Sequence, residues 1–400
     1  MPQWEPKNHL GVFIEAGAKN VFRLGFSTLN GADTLGSSAT SYTYTDFSQY
    51  LTEASIDNGV SFDGIHAAYD GNNATITLFS PTADPTANYV IKVGNGIKLT
   101  LESYVAGVSS QVFYQGVVKG IERIIDDIGN FTVRITAGDQ VQDALSNVID
   151  YLAVTTGLTA YGRLAAVKAV VPGWAATMDG INAYYALMYG SSTDSFVQGD
   201  YLIDSVSIAD FVNETVANEA GWLVADTTGL PTFLPHKFLT DQLAATPVVE
   251  FSENNTNSHV AISHLNQDSN TNAAINSYRI EDSIDPLTFV TGVNQDSIDL
   301  YGLNHQDLTL NLNDATEYAR YLAYALTYTG QQRIKSISAD AVSHKNRDLK
   351  DVWKLWPGQA VLVNVSMGTT VINQNYVVSR VQHQITPDNW ITDVELWRNN

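Results

Sequence analysis

Gly96-Ile97-Lys98-Leu99-Thr100-Leu101, Val117-Val118-Lys119-Gly120-Ile121-Glu122-Arg123-Ile124 and Gly129-Asn130-Phe131-Thr132-Val133-Arg134-Ile135 have a counterpart near the other end of the chain. It runs Gly358-Gln359-Ala360-Val361-Leu362-Val363, Val377-Val378-Ser379-Arg380-Val381-Gln382-His383-Gln384-Ile385 and Asp388-Asn389-Trp390-Ile391-Thr392-Asp393-Val394-Glu395-Leu396. Both sets read glycine turn, strand, loop, strand, tight polar turn, strand. Alternating apolar and polar residues suit a half-buried strand, and Gly and Asn tolerate the positive φ of tight turns. Two readings are open. Any two meanders rich in Val and Ile resemble each other, or the chain carries two copies of one small barrel. The second has a specific use, because three such chains present six similar barrels and can match a sixfold ring.

Outward from the repeat, strand patterns dominate the first 140 residues, as in Ala74-Thr75-Ile76-Thr77-Leu78. Near Asp139 the period changes, and Val141, Leu145, Val148, Ile149 and Leu152 predict a helix capped by Asp139. A second helix is expected from Ser207, with Ile208, Phe211, Val212 and Val216 on one face and Gly221 after it. Trp222 to Phe233 then reads as a hairpin turning at Asp226–Gly229. Residues 252–258 read as a linker or long loop. Strand character is expected from Val260 to Leu312. A helix follows from Asp314, with Glu317 in capping-box spacing and an end near Gly330, and strands run from Arg333 onward.

The 400 residues hold 42 acidic and 21 basic side chains, a formal charge of −21, and no cysteine. That balance argues against wrapping nucleic acid, which needs clustered Lys and Arg, and against docking on an anionic membrane. It suits a surface past which a polyanion slides. Disulfides, Cys-ligated zinc and Cys nucleophiles are excluded. No N-terminal apolar stretch reads as a signal peptide, and Leu164–Met178, broken by Lys168 and Pro172, is too short to span a bilayer. The expectation is a soluble chain made without a secretion signal.

The order of these segments resembles the hub proteins of phage tails, the siphophage minor tail proteins. Ile56-Asp57-Asn58-Gly59-Val60-Ser61-Phe62 and Val112-Phe113-Tyr114-Gln115-Gly116-Val117-Val118 are similar to that family's first-barrel strands, and Thr136-Ala137-Gly138-Asp139 to its exit into a helix. Glu219-Ala220-Gly221-Trp222-Leu223 with Asp226, Gly229 and Phe233 looks like its helix-then-hairpin segment. Ala274-Ile275-Asn276, Asp296-Ser297-Ile298-Asp299-Leu300-Tyr301-Gly302 and Ala319-Arg320-Tyr321-Leu322-Ala323 match its second half, and Val377 to Trp390 its closing strands. The family's long basic residue after the hairpin is here Lys237, displaced by Leu234-Pro235-His236.

The resemblance implies a mainly β fold with α+β insertions, built from two similar small tail-tube-like β-barrels with α/β domains between them. The expected division is a first barrel at 1–140, a middle domain at 141–257, and a second barrel at 258–400 with a helical insertion around 313–350. It implies a homotrimer at the distal tip of the tail, in the virion. Its partners would be the tail tube or distal tail protein, the tape measure protein and the tip or receptor-binding proteins. DNA would pass through its lumen without being bound, and no membrane insertion is implied. Glu102, Glu122 and Asp393 lie on barrel strands and are the candidates for an acidic lumen wall.

The chain has no His-Glu-X-X-His, no phosphate loop and no Gly-X-Ser-X-Gly elbow, so no enzyme activity, cofactor or metal is expected. His259 and His264 are read as surface or interface residues, with a metal pair as the rival. His344-Lys345-Asn346-Arg347-Asp348 reads as a solvated loop. Asp126-Asp127 reads as a turn, since adjacent strand residues diverge. Asp296 and Asp299 would need Glu281-Asp282 beside them to approach a cation site. Tyr184-Tyr185 and Tyr321, Tyr324 and Tyr328 are core or interface residues, or a platform for a sugar. Two rivals to the structural hub therefore remain. One is a receptor- or glycan-binding tip protein. The other is a wall-degrading enzyme, for which the chain ending at Asn400 leaves no room for an added domain.

Overall fold

The computed structural model describes residues 8–18, 42–63, 65–103, 111–139, 141, 145, 148–152, 157–170, 195–199, 203–226, 229, 231–253, 259–268, 275–327, 332–340, 351–367, 370–386 and 389–398. His344–Asp348, Tyr184–Tyr185, Tyr328, Gly330 and the presumed linker at 254–258 lie outside the described residues.

The first half supplies β1 (Asn8–Ala18), β2 (Tyr42–Asp46), β3 (Leu51–Asp63), β4 (His66–Ser80), β5 (Tyr89–Val90), β6 (Gly96–Ser103), β7 (Gln111–Ile125) and β8 (Phe131–Gly138). They hydrogen-bond in the order β2-β1-β6-β7-β8-β4-β3, with β5 against β1. Period-two alternation sends Leu10, Val12, Ile14, Ile76, Leu78, Ile97, Leu99 and Ile135 inward, all fully buried. Each contributes about 1.5–3 kcal/mol by leaving water. Among the described residues no ladder joins β1 or β2 to β3. That gap is bridged by the Phe47–Tyr50 turn, where Ser48 Oγ accepts from Val12 N at 2.8 Å.

The second half closes completely. β13 (Val249–Ser252), β14 (Val260–Asp268), β18 (Gln332–Asp340), β19 (Ala360–Met367), β20 (Thr370–Ile385) and β21 (Trp390–Arg398) form a ring in the order β13-β14-β18-β21-β20-β19 and back to β13. The β13–β14 and β13–β19 pairs are parallel and the others antiparallel. Its interior holds Phe251, Val361, Val363, Val394 and Leu396. β13 lies ahead of the expected boundary at 257, so the barrel's strands begin by Val249. Between β14 and β18 sit β15 (Ser277–Asp282), β16 (Phe289–Val293) and β17 (His305–Leu310), a separate three-stranded sheet.

The two halves repeat one plan down to single hydrogen bonds. In the first, Gly94 N donates to Val118 O and Val118 N to Asn95 O, both at 2.8 Å. In the second, Gly358 N donates to Val378 O at 2.8 Å and Val378 N to Gln359 O at 2.9 Å. Both glycines have positive φ, +90° and +96°. The side-chain carbonyl of Asn95 accepts from Lys92 N, and that of Gln359 from Trp356 N. A bulge follows at the same place in each, between Val118 and Gly120 and between Val378 and Arg380. Shared register and shared turn chemistry go beyond the likeness of any two Val-rich meanders. The two sheets are fused: β20 pairs antiparallel with β3, from Arg380↔Gly59 to Ile385↔Ala54.

The middle segment differs from its sequence reading in one element. Val141 and Leu145 are helical, but Val148, Ile149 and Leu152 lie on a strand, β9 (Val148–Leu152), paired with β10 (Ile203–Ser207). The side chain of Asp139 accepts from Asn72 N at 2.7 Å and from the Tyr69 hydroxyl. β-branched residues at 148 and 149 favour the extended backbone once a partner strand is present. α1 (Ala160–Val170) follows. α2 (Ile208–Ala217) starts at Ser207, whose hydroxyl accepts from Asp210 N, and it buries Ile208, Phe211, Val212 and Val216. β11 (Trp222–Ala225) and β12 (Pro231–Leu234) form the expected hairpin, and α3 (His236–Gln242) follows.

Two further differences lie in the second half. The run from Val260 to Leu312 is not all strand, since Gln295–Tyr301 form a helix, α4, capped by the Asn294 side chain on Ser297 N and ended at Gly302 with φ 81°. α5 (Ala315–Ala325) begins as expected at Asp314, which accepts from Thr316 N and Glu317 N. The Glu317 carboxylate, however, binds Arg320 and Val197 N. No helix among the described residues is long and apolar enough to cross a membrane.

Candidate functional site

Fusing β3 to β20 makes one continuous polar surface from residues far apart in sequence. Along every strand the side chains alternate, so the face opposite the core is set by the residues between the buried ones. One row crosses six strands through directly paired positions: Asn73 (β4), Asp57 (β3), Gln382 (β20), Asp393 (β21), Ser338 (β18) and His264 (β14). A second row runs Thr136, Thr75, Ser55, Gln384 and Ile391. A third runs Glu122, Arg134, Thr77 and Glu53. The surface therefore spans β7-β8-β4-β3-β20-β21-β18-β14 and is short-chained, hydroxyl- and amide-rich, and charged at intervals.

Two of the three sequence candidates meet on it. Glu122 is exposed on β7 opposite Arg134, and Asp393 is half-buried on β21 opposite Gln382. These are the same pair of positions in the two copies, with Glu122 matching Gln382 and Arg134 matching Asp393. The acid comes from the middle strand in the first copy and from the last strand in the second. Asp393 also accepts from Ser338 Oγ. Glu102 lies on β6 opposite His9, on a strand outside these rows, and its side chain is outside the described residues. Sequence reasoning missed Glu53, Asp57 and Glu395, because which residues face outward at a copy-to-copy seam depends on a pairing between positions more than 300 apart.

The seam is locked by charge. Arg380 donates to both oxygens of Asp57, at 2.8 and 2.6 Å, and to Asp70 at 2.8 Å. Gln382 adds a bond to Asp57 at 2.9 Å. The hydrogen bonds to Asp57 hold the guanidinium above its ordinary range, against partial desolvation. His383 stands opposite Ile56 in the ladder and packs against the rings of Phe113 (6.3 Å) and Trp390 (5.7 Å), and Trp390 Nε1 donates to its Nδ1 at 3.2 Å. Burial pushes the His383 imidazole down to about 4.

Asp126 accepts from Ile128 N, Asn130 N and Asn130 Nδ2 in the β7–β8 turn. His259 faces Glu250 at 3.1 Å, and His264 is exposed. Asp299 accepts from Gln295, Glu281 pairs with Arg279, and Asp282 accepts from Ile284 N and Asp285 N. Among the described residues no group of three or more acids and histidines is set to hold a metal. Tyr321 is buried and donates to Ala217 O at 2.9 Å, while Tyr324 packs on His236 at 4.6 Å. Lys237 pairs with Asp241 one turn along α3.

One buried constellation was not foreseen. Glu219, fully buried, accepts from Ser195 Oγ at 2.6 Å and Phe196 N at 3.0 Å, and meets His236 Nδ1 at 2.7 Å. Activation of a serine needs the base against its hydroxyl; here the carboxylate stands between Ser195 and His236. The arrangement ties the 195–199 segment to the end of α2 and the start of α3.

No protein-family model matches the sequence, and no curated protein matches it. Solved structures do. The tail protein from Neisseria meningitidis MC58 superposes with a TM-score of 0.57 at 10% identity, over 98% of this chain and 97% of that one. The 43 kDa tail protein of prophage MuSo2 from Shewanella oneidensis superposes with a TM-score of 0.56 at 9% identity, over 96% and 98%. At such identities the likeness is one of fold. It covers nearly the whole of each chain, so this chain shares its mainly β fold with these two tail proteins.

Proposed function

We propose that this chain is a structural protein of a phage tail, acting as a hub at the distal end of the tube. The observation that carries this is the edge-to-edge fusion of two sheets of one repeated plan, the second closed into a barrel, with a single polar surface running on across both. In this reading three chains form a ring of six barrels that docks on the sixfold tube, with tip or receptor-binding proteins attached on the far side and the tape measure protein above. The polar surface lines the channel. Its acids, Glu53, Asp57, Glu122, Asp393 and Glu395, outnumber Arg134 and Arg380, and the chain's charge of −21 keeps passing DNA from adhering. The role is mechanical rather than catalytic, and the protein resides in the virion.

The glycan-binding alternative loses its platform where it can be placed, because Tyr321 is buried and Tyr324 is packed on His236 and Phe196. Native mass spectrometry of the purified chain, alone and with the tube protein, tests the reading. A trimer that caps tubes end-on in electron micrographs is the expected result. A stable dimer, or a chain that ignores the tube, overturns it.

A further inference from the structure

Among the described residues the two copies share one joint, and two edges matching its halves have no partner. β20 pairs with β19 as far as Val377, then leaves it, and Arg380–Ile385 pair with Gly59–Ala54 of β3. β7 is the counterpart of β20. Past its matching bulge, no strand among the described residues pairs with Gly120–Ile125 on the side away from β8. β14 is the counterpart of β3, lying beside β18 as β3 lies beside β4. It pairs with β13 only at Val260 and Ala261, and beyond that its outer side has no partner among the described residues.

The side chains record the same difference. Ile385 is 0% exposed in the joint, whereas its counterpart Ile125 is 64% exposed and the neighbouring Ile128 79%. The backbone polarity also fits. Asp126 N donates to Asn130 O within the β7–β8 turn, so strand alternation aims the N–H groups of Ile125 and Arg123 at the free side. An unpaired edge with exposed isoleucines is a template for another strand.

We propose that β7 of one molecule pairs antiparallel with β14 of a second copy, repeating the internal β20–β3 joint between chains. The register follows from the repeat. Ala54 pairs with Ile76 and Ile76 with Ile135; Leu265 pairs with Ile337 and Ile337 with Val394. Ile135 and Val394 are matched positions, so Leu265 takes the place of Ala54. Ile125 then lies opposite Leu265 of the second copy, and Ile124 opposite its Asn266. The two edges are different surfaces, so the contact is head-to-tail and forms a ring where the rotation closes. This deepens the threefold reading above and rests on it.

The chain has no cysteine, so an introduced pair reports without background. Ile124→Cys with Asn266→Cys places two thiols at a non-hydrogen-bonded pair, about 4.5 Å apart at Cα, within disulfide reach. Inside one molecule six strands lie between the same positions, seven steps of about 4.8 Å, or roughly 34 Å along the sheet. After mild oxidation of the full chain, a non-reducing gel should show a covalent trimer that reductant reverses. Each single-cysteine variant should show none. Adding Ile125→Lys, at a position exposed in the single chain, should cut cross-linking at least tenfold while the far-UV circular dichroism stays that of the parent. An oxidised double variant no more cross-linked than the single variants overturns the pairing. If native mass spectrometry still shows a trimer in that case, the threefold reading stands without it. Cross-linking that runs past three into long polymers supports the pairing and removes the threefold ring.

Discussion

Arg380 and Asp57 are joined by a two-bond fork across the ladder between β20 and β3, with the carboxylate shared by Gln382 and the guanidinium shared by Asp70. Arg380 sits opposite Gly59, where no side chain stands between them. A Cβ at Gly59 would lie 2.5 Å from Arg380 Cγ and 2.9 Å from its Cα. The fork and the missing side chain are therefore one device, since the guanidinium reaches Asp57 by lying over the bare backbone of its neighbour.

Replacing Asp57 with Ala should destabilise the chain by about 1–3 kcal/mol, the scale of a part-buried charge-assisted pair that loses one partner. Gly59→Ala should cost a similar amount by a different route, overpacking against Arg380. Hydrogen exchange should show the loss concentrated in 54–59 and 380–385. Equal loosening of the whole chain would count against a local lock.

His383 sets a pH dependence. Its folded-state value is about 4, against an ordinary value near 6.5. The unfolded chain therefore takes up a proton in the window where the folded chain does not. Stability should be full above about pH 6.5 and fall as pH drops toward 4, by roughly 3 kcal/mol in all. His383→Gln should flatten that part of the profile in denaturant titrations at stepped pH. An unchanged slope would assign acid lability to other groups.

The duplicated turn offers an internal comparison. Gly94 and Gly358 share a positive φ, but a Cβ at Gly94 meets nothing, whereas one at Gly358 collides with Leu234 Cδ1. Gly94→Ala should cost about 1 kcal/mol from backbone strain. Gly358→Ala should cost more, about 2–4 kcal/mol, because overpacking is added. Matched thermal melts decide it, and equal costs would mean that the Leu234 side chain yields freely.

Glu219 should be intolerant of change. Glu219→Ala leaves Ser195, Phe196 N and His236 without their acceptor in a dry interior, a loss of about 2–5 kcal/mol. Glu219→Gln, which keeps the shape and one acceptor, should lose less. The order of the two melting temperatures is the readout, with exchange at 195–199 as the local check.

Much of the fold was legible because its signals are local. The strands 74–78, 97–101 and 131–135, the Ser207 and Asp314 caps and the 226–229 turn each follow from residues within a few positions of one another. Two elements were misread where local signals competed. Val148–Leu152 carries a spacing that serves a helix or a strand, and pairing with Ile203–Ser207 decided it. Gln295–Tyr301 was absorbed into a strand-rich run although Asn294 and Gly302 mark both ends of a helix.

The repeat itself could be read along the chain from its apolar alternation and polar turns, but the turn glycine that matches Gly358 is Gly94, not Gly96, which opens β6. That pattern alone leaves open whether the two ends are copies of one unit or merely similar meanders, and the matching turn hydrogen bonds and bulges decide it. What the tertiary structure alone decided is how the copies meet. The β3–β20 ladder joins residues more than 300 positions apart, and no local propensity specifies a partner at that separation. It also decided which polar residues share one surface, because a strand's alternation says which residues lie on the same side and only packing says which side is wet.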